Sequence, residues 1–257
     1  MSRQFKPDEL IVNYHDACIY GRDLELVQSP REWLNDACIH FYLTVLQKSD
    51  TCCNHNNNTI FMDPSVISFL MHQCQDDEDL QEFAAGACGN FQTTSSNDEG
   101  LRLVVPINDH FLASQDSWAI PGAGMHWSLL VLTFSKQHQQ GKQWTAWHLD
   151  SAGGNLAAAS RVAETIHHAQ SLLTGNDDRR IEDFSVMECK VPRQQNGYDC
   201  GTHVLSTAEA ILPLPPSATK TDIEQAVQLV IDFQAYPNYC VQFRSKVAGC
   251  ILGMREE

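Results

Sequence analysis

Residues 126–150 read HWSLLVLTFSKQHQQGKQWTAWHLD, and this stretch decides the architecture. Trp127 to Phe134 and Gln143 to Leu149 are two runs of strand length and strand composition. The polar segment Ser135 to Lys142 between them predicts an antiparallel hairpin. Pairing residues symmetrically about a loop centre near residue 138 sets His126 opposite Asp150, both at the open end of the hairpin. An imidazole and a carboxylate thereby meet at the end of two buried strands.

Working outward, Leu101 to Ile107 is aliphatic and β-branched and predicts a further buried strand. Polar segments flank it, Gln92 to Gly100 before and the long loop Asn108 to Gly124 after. Ser29-Pro30-Arg31-Glu32 combines a capping serine, a proline and a glutamate three residues on, followed by Leu34, Cys38, Phe41 and Val45 on one face. A helix over about 30–47 is expected. Asp63-Pro64 opens a second helix, and the acidic run Asp76 to Glu82 reads as a solvated face or turn. Leu156 to Leu173 has helical spacing ending near Gly175, and Ile181 to Val191 reads as a strand. The polar turn Gln194 to Gly197 leads into Cys200, after which Val204, Thr207, Ala208 and Ile211 keep helical spacing as far as Pro213. Cys200 therefore stands at a helix N-terminus. Helices from Thr221 to about Gln234 and over Tyr239 to Cys250 complete the chain. No repeat of solenoid length is present, and the interleaved strands and helices predict an α+β domain, a central mixed sheet flanked by helices.

The 257 residues are 43% hydrophobic, enough to bury a core, which excludes a disordered or fibrous protein. Lys and Arg number 17 against 32 Asp and Glu, a net charge of −15. That sign is wrong for gripping nucleic acid or anionic lipid, and suits either solubility or a basic partner. No signal peptide or membrane-length apolar run is seen, so a soluble intracellular chain is expected, cytoplasmic or nuclear, with its ten cysteines mostly reduced. Cys52, Cys53, His55, His72 and Cys74 have no zinc spacing, and neither a metal nor a cofactor is expected.

Cysteine attacks as a thiolate, and the unsatisfied N–H groups of a helix start favour negative charge. Among the ten cysteines Cys200 alone has that position. A thiol also needs a base with an orienting acceptor, and the hairpin supplies His126 and Asp150. In this set Asp150 orients the imidazole, and His126 takes the thiol proton and later protonates a leaving amine. The side-chain amide of Gln194 and the Cys200 N–H are available to a developing oxyanion. Gly197 and Gly201 let backbone approach a substrate closely. Taken singly, each residue has an ordinary reading: a cysteine before an apolar helix is usually core, and polar residues at strand ends are usually rim.

Four motifs together carry a resemblance. Gly124-Met125-His126-Trp127-Ser128-Leu129-Leu130-Val131, His148-Leu149-Asp150-Ser151, Gln194-Gln195-Asn196-Gly197-Tyr198-Asp199-Cys200-Gly201 and Trp33-Leu34-Asn35-Asp36 resemble the Ulp1/sentrin-specific cysteine protease family. They occur in the family's order, over about residues 15–250, so a single catalytic domain filling 1–257 is implied. The resemblance implies a papain-like (Ulp1/adenain-type) fold and cleavage after the C-terminal Gly-Gly of a ubiquitin-like modifier. It implies a narrow tunnel closed by Trp33 and Trp127, a slot that only residues lacking Cβ can pass. Asp36 would contact the modifier tail.

Ile107-Asn108-Asp109, a glycine-containing loop and His-Trp-Ser-Leu-Leu-Val are more similar to the deneddylase subgroup, which acts on NEDD-type modifiers. SUMO stands as the alternative, since the loops at 50–58, 92–100, 110–124 and 135–142 are longer than the subgroup's pattern. Two readings of other kinds stand beside it: a thiol acyltransferase of bacterial effector type, and a silent module that binds a ubiquitin-like protein. Asn108 to Gly124 is expected to be a flap that orders over the modifier tail. One chain carries the whole set, so a monomer is expected.

Overall fold

The computed structural model describes residues 5–49, 58–74, 76–87, 100–112, 124–135, 143–174, 185–230 and 238–255. Their strands are β1 (Leu10–Tyr14), β2 (Ala17–Tyr20), β3 (Thr59–Phe61), β4 (Leu101–Asn108), β5 (Trp127–Ser135), β6 (Gln143–Leu149) and β7 (Val186–Glu188). Their helices are α1 (Gly21–Gln28), α2 (Asp36–Gln47), α3 (Pro64–His72), α4 (Asp77–Ala87), α5 (Leu156–Thr174), α6 (Cys200–Ile211), α7 (Lys220–Val230) and α8 (Asn238–Gly253).

Strands β3 to β7 form one sheet in chain order, with β3 parallel to β4, β7 parallel to β6, and antiparallel pairings between. Side chains alternate across it into two cores. Val104, Leu129, Val131, Trp147 and Leu149 join residues of α2, α6, α7 and α8 on one face. Leu103, Val105, Ile107, Leu130 and Leu132 meet α3 and α5 on the other, where Ala158, Ala159 and Ala163 let α5 lie close. Burial on both faces explains the unbroken apolar runs Leu103–Ile107 of β4 and Leu129–Leu132 of β5. The expected α+β layering is what forms.

The hairpin register differs from the expected one. Leu129 pairs with Leu149 and Leu130 with His148, so Asp150 comes level with Ser128, two residues from His126. An offset of two keeps each side chain on its face, because strand side chains repeat every second residue.

The helix expected from residue 30 begins instead at Asp36, where the Asn35 side chain accepts the Cys38 N–H at 3.0 Å. Ser29 closes α1, its N–H donating to the Glu25 carbonyl at 2.9 Å. The carbonyls of Ser29 and Glu32 accept hydrogen bonds from the buried Arg244 guanidinium, an alternative that a helix through residue 30 would have to give up. The acidic run is the start of α4, with the Asp76 carboxylate accepting the N–H groups of Glu78 and Asp79, both at 3.0 Å. Carboxylates belong there because they complement the helix dipole. The strand expected over 181–191 is the short β7, residues 181–184 lying outside the described set. The end of the helix expected at Gln234 is also outside it. The β1–β2 hairpin turns on His15 and Asp16, both left-handed at φ 49° and 69°. Without an Asn-Gly pair, that turn carries little sequence signal.

Candidate active site

His126 hangs off the start of β5 and is fixed through its backbone. The Asp109 carboxylate accepts the N–H groups of Met125 at 2.8 Å and His126 at 3.2 Å, and the Asp109 N–H donates to the His126 carbonyl at 3.2 Å. Gly124 precedes them in close contact: a Cβ there would lie 1.8 Å from Asn108 Oδ1. The Trp127 indole N–H donates to the Leu34 carbonyl at 3.0 Å, joining β5 to the segment ahead of α2.

Asp150 follows β6 and is 6% exposed. Its Oδ1 accepts from His126 Nε2 at 2.7 Å, Ala152 N–H at 3.0 Å and Gly153 N–H at 2.8 Å; Oδ2 accepts the Asn155 N–H at 3.1 Å. Gly153, at φ 87°, makes the turn that aims these donors. Burial would raise this carboxyl's pKa. The hydrogen bond from His126, the N–H donors of Gly153 and Asn155, and the imidazolium charge outweigh burial and hold it well below the usual range. Behind it the Asn155 amide donates to Ser128 Oγ at 2.9 Å and to the Ile107 carbonyl at 3.3 Å, while His148 Nε2 is 2.9 Å from Ser128 Oγ.

Cys200 is the first residue of α6 and is 2% exposed. It lies beside the His126 ring, close enough to raise the imidazole's pKa; with Nε2 committed to Asp150, Nδ1 is the nitrogen left for the thiol. Burial lowers the His126 pKa, but hydrogen bonds and charge from Asp150 and Cys200 win, and it is raised to about 9. The loop before Cys200 is braced from within. Asn196 Oδ1 accepts the N–H groups of Tyr198 and Asp199, both at 3.0 Å, and its amide donates to Asp199 Oδ2 at 2.7 Å.

The structure thus joins His126, Asp150 and Cys200. Gln194 sits on the same loop, its N–H donating to the Ser151 carbonyl at 3.0 Å and its Oε1 accepting the Ser151 hydroxyl at 2.8 Å. One of its two amide hydrogens goes to the Asn196 carbonyl at 2.7 Å. Trp33 is 41% exposed, Trp127 half-buried and Asp36 exposed at the start of α2. Gly197 is exposed, with open space where a Cβ would stand. Gly201 differs from expectation: a Cβ there would be 2.9 Å from Leu34 Cβ, so its close neighbour is this chain's own rim. Cys52, Cys53, His55 and most of the expected flap, 113–123, lie outside the described residues. Sequence reasoning missed Asp109, Ser128, Asn155 and Arg244, polar residues whose partners are distant in the chain. Asn196 and Asp199 were legible only as turn formers before a helix.

Residues 32–233 match the Ulp1 protease family, C-terminal catalytic domain. The chain is 32% identical to NEDD8-specific protease 1 of Arabidopsis thaliana, over 79% of this chain and 76% of that protein. It is 30% identical to a probable sentrin-specific protease 8 of Dictyostelium discoideum, over 80% and 76%. Among solved structures, the SUMO protease Ulp1 with its catalytic cysteine oxidized to a sulfenic acid has a similar fold. There the TM-score is 0.61 at 20% identity, covering 95% of this chain and 88% of the other. The Ulp1 protease domain in complex with Smt3, the yeast ortholog of SUMO, has a TM-score of 0.59 at 20% identity, covering 98% and 90%.

Proposed function

The chain belongs to the Ulp1 protease family, and from that membership we propose that it is a cysteine isopeptidase cleaving after the C-terminal Gly-Gly of a ubiquitin-like modifier. A NEDD-type modifier is the favoured substrate. The observation that carries this reading is the convergence of His126, Asp150 and Cys200, with the His126–Asp150 contact at 2.7 Å and Gln194 on the cysteine's own loop. Relatives with names specific to NEDD8 or to sentrin support the substrate class. SUMO is the second candidate, because the solved structures of similar fold include SUMO proteases.

In the proposed mechanism the Cys200 sulfur attacks the carbonyl carbon of the modifier's last glycine. The resulting oxyanion is met by the Cys200 N–H and the Gln194 amide. His126, protonated and held by Asp150, gives its proton to the departing lysine amine as the C–N bond breaks, leaving a thioester. Water then attacks the thioester with His126 as base, releasing the modifier's carboxylate and the thiol. Trp33 and Trp127 flank the approach and admit the diglycine by excluding side chains. Asp36, exposed at the α2 N-terminus, is the polar contact proposed for the tail, and Gly197, with open space around it, is proposed to let the substrate backbone approach. One chain supplies every group named, which supports action as a monomer.

The test is a panel of modifier tails, NEDD-type, SUMO and ubiquitin, each ending in a thiol-trapping electrophile. A covalent adduct at Cys200 with the NEDD-type tail in preference to the others is the expected result. Adduct with SUMO alone would transfer the assignment to SUMO, and folded protein that traps none would remove the isopeptidase reading. The pH profile offers a second check. Because the His126 pKa is raised to about 9, its proton is present through neutrality and lost as pH rises through about 9. The free enzyme's kcat/KM is therefore expected to hold from neutral pH upward and to fall with a midpoint near pH 9. An alkaline midpoint near the ordinary histidine value of about 6.5 would contradict the coupling of His126 to Asp150 and Cys200.

A further inference from the structure

Arg244 lies on α8, outside the four motifs, and is 3% exposed. Its Nη1 donates to the carbonyls of Leu26 and Ser29, each at 3.1 Å. Its Nη2 donates to the carbonyls of Glu32 at 2.7 Å and Tyr198 at 3.2 Å and reaches Asp199 Oδ1 at 3.3 Å. The first three acceptors belong to the segment that ends in Trp33, and the last two immediately precede Cys200. One planar fork thus grips both walls of the site. From Glu32 the connection continues: Leu34 accepts the Trp127 indole at 3.0 Å and packs against Gly201 at the start of α6.

Burying a guanidinium is costly, and where stability alone is at stake well-packed apolar side chains do as well or better. Among the described residues this one has a single carboxylate partner and otherwise neutral carbonyls, an arrangement that specifies geometry. Lysine cannot replace it, since a compact ammonium lacks the span of the fork. We propose that Arg244 is the positioning residue that sets the distance between the Trp33 rim and the Cys200 loop, so that the C-terminal helix governs turnover without touching substrate. The proposal rests on the cysteine-protease reading above. Displacements of about 1 Å in such a site cost on the order of 10²-fold in rate.

The experiment compares the parent with Arg244→Lys and Asp199→Asn. Each is first shown to be folded by far-UV circular dichroism and a cooperative melt, and then assayed well below its melting temperature. Arg244→Lys is expected to lose at least tenfold in kcat/KM on a fluorogenic modifier-tail amide, with KM raised through the rim and kcat lowered through the loop. Asp199→Asn, which removes the charge facing Arg244 and sets an NH₂ against either Arg244 or the Asn196 amide, both on the loop side, is expected to lower kcat with little change in KM. It carries the test if Arg244→Lys does not fold. A substrate-free readout runs in parallel: iodoacetamide labelling of Cys200 at pH 6, read by peptide mass spectrometry, is expected to slow at least fivefold in both variants. Folded variants with kcat, KM and labelling all within twofold of the parent would overturn the proposal. Should the parent cleave no tail, the isopeptidase reading fails by itself, and the labelling rates still decide for or against Arg244.

Discussion

Cys200→Ala is expected to lower turnover of a modifier conjugate by about 10⁴-fold or more while leaving modifier affinity within about threefold. The two effects separate because of where the sulfur sits. At 2% exposure the thiol contributes almost no surface to a partner, whereas the proposed attack on the glycine carbonyl has no other nucleophile of comparable placement among the described residues. Cys38, Cys189 and Cys240 are also buried. Burial pushes the Cys38 thiol well above its ordinary value and the Cys189 thiol up to about 12, so neither offers a thiolate at neutral pH. Single-turnover cleavage and calorimetric titration of the intact modifier measure the two quantities. Retained cleavage within tenfold of the parent would remove Cys200 from the nucleophile's place, and lost affinity would mean that the side chain also shapes the tail's binding site.

Asp150→Asn is expected to reduce kcat by about 10³- to 10⁴-fold, the scale set by the same replacement in a serine protease. Every group facing the carboxylate is a donor: His126 Nε2 and the N–H groups of Ala152 and Gly153 on one oxygen, the Asn155 N–H on the other. An amide must turn its NH₂ toward one of these sets and confront donor with donor. Even in the better orientation it loses the charge that stabilises imidazolium. The alkaline midpoint should accordingly move from about 9 toward the ordinary value near 6.5, which a purely structural lesion would not produce. Fold stability has its own signature. The Asp150 pKa is lowered in the folded state, so its contribution is present above the unfolded value of about 3.9 and disappears as pH falls through the folded one. The variant should lose stability at pH 7 and converge with the parent in strong acid. A near-parental rate with an unmoved midpoint would show that another acceptor orients His126.

Much of the site was legible before any coordinates. Strand composition in β5 and β6, turn polarity between them and the helix start at Cys200 are local signals, and they sufficed to pair His126 with Asp150 and to single out Cys200. The register error of two residues did no harm, since it preserved the faces and left both groups at the open end. Where local signals competed, the reading went astray. Ser29-Pro30-Arg31-Glu32 has the composition of a helix start, yet Ser29 closes α1, and the Ser29 and Glu32 carbonyls are held by Arg244.

By itself the sequence determined the α+β class, the central hairpin, the helix start at Cys200 and the family, because periodicity, capping residues and motif spacing act over a few neighbouring residues. Tertiary structure alone decided how those groups are held. Asp109 fixes His126 from 17 residues away, Asn155 reaches Ser128 across 27, and Arg244 joins Glu32 across 212. A hydrogen bond between residues so far apart leaves no periodic trace in a chain; it exists only once the sheet and its helices have packed and shut water out, and there an unpaired polar group would cost too much to leave unmet.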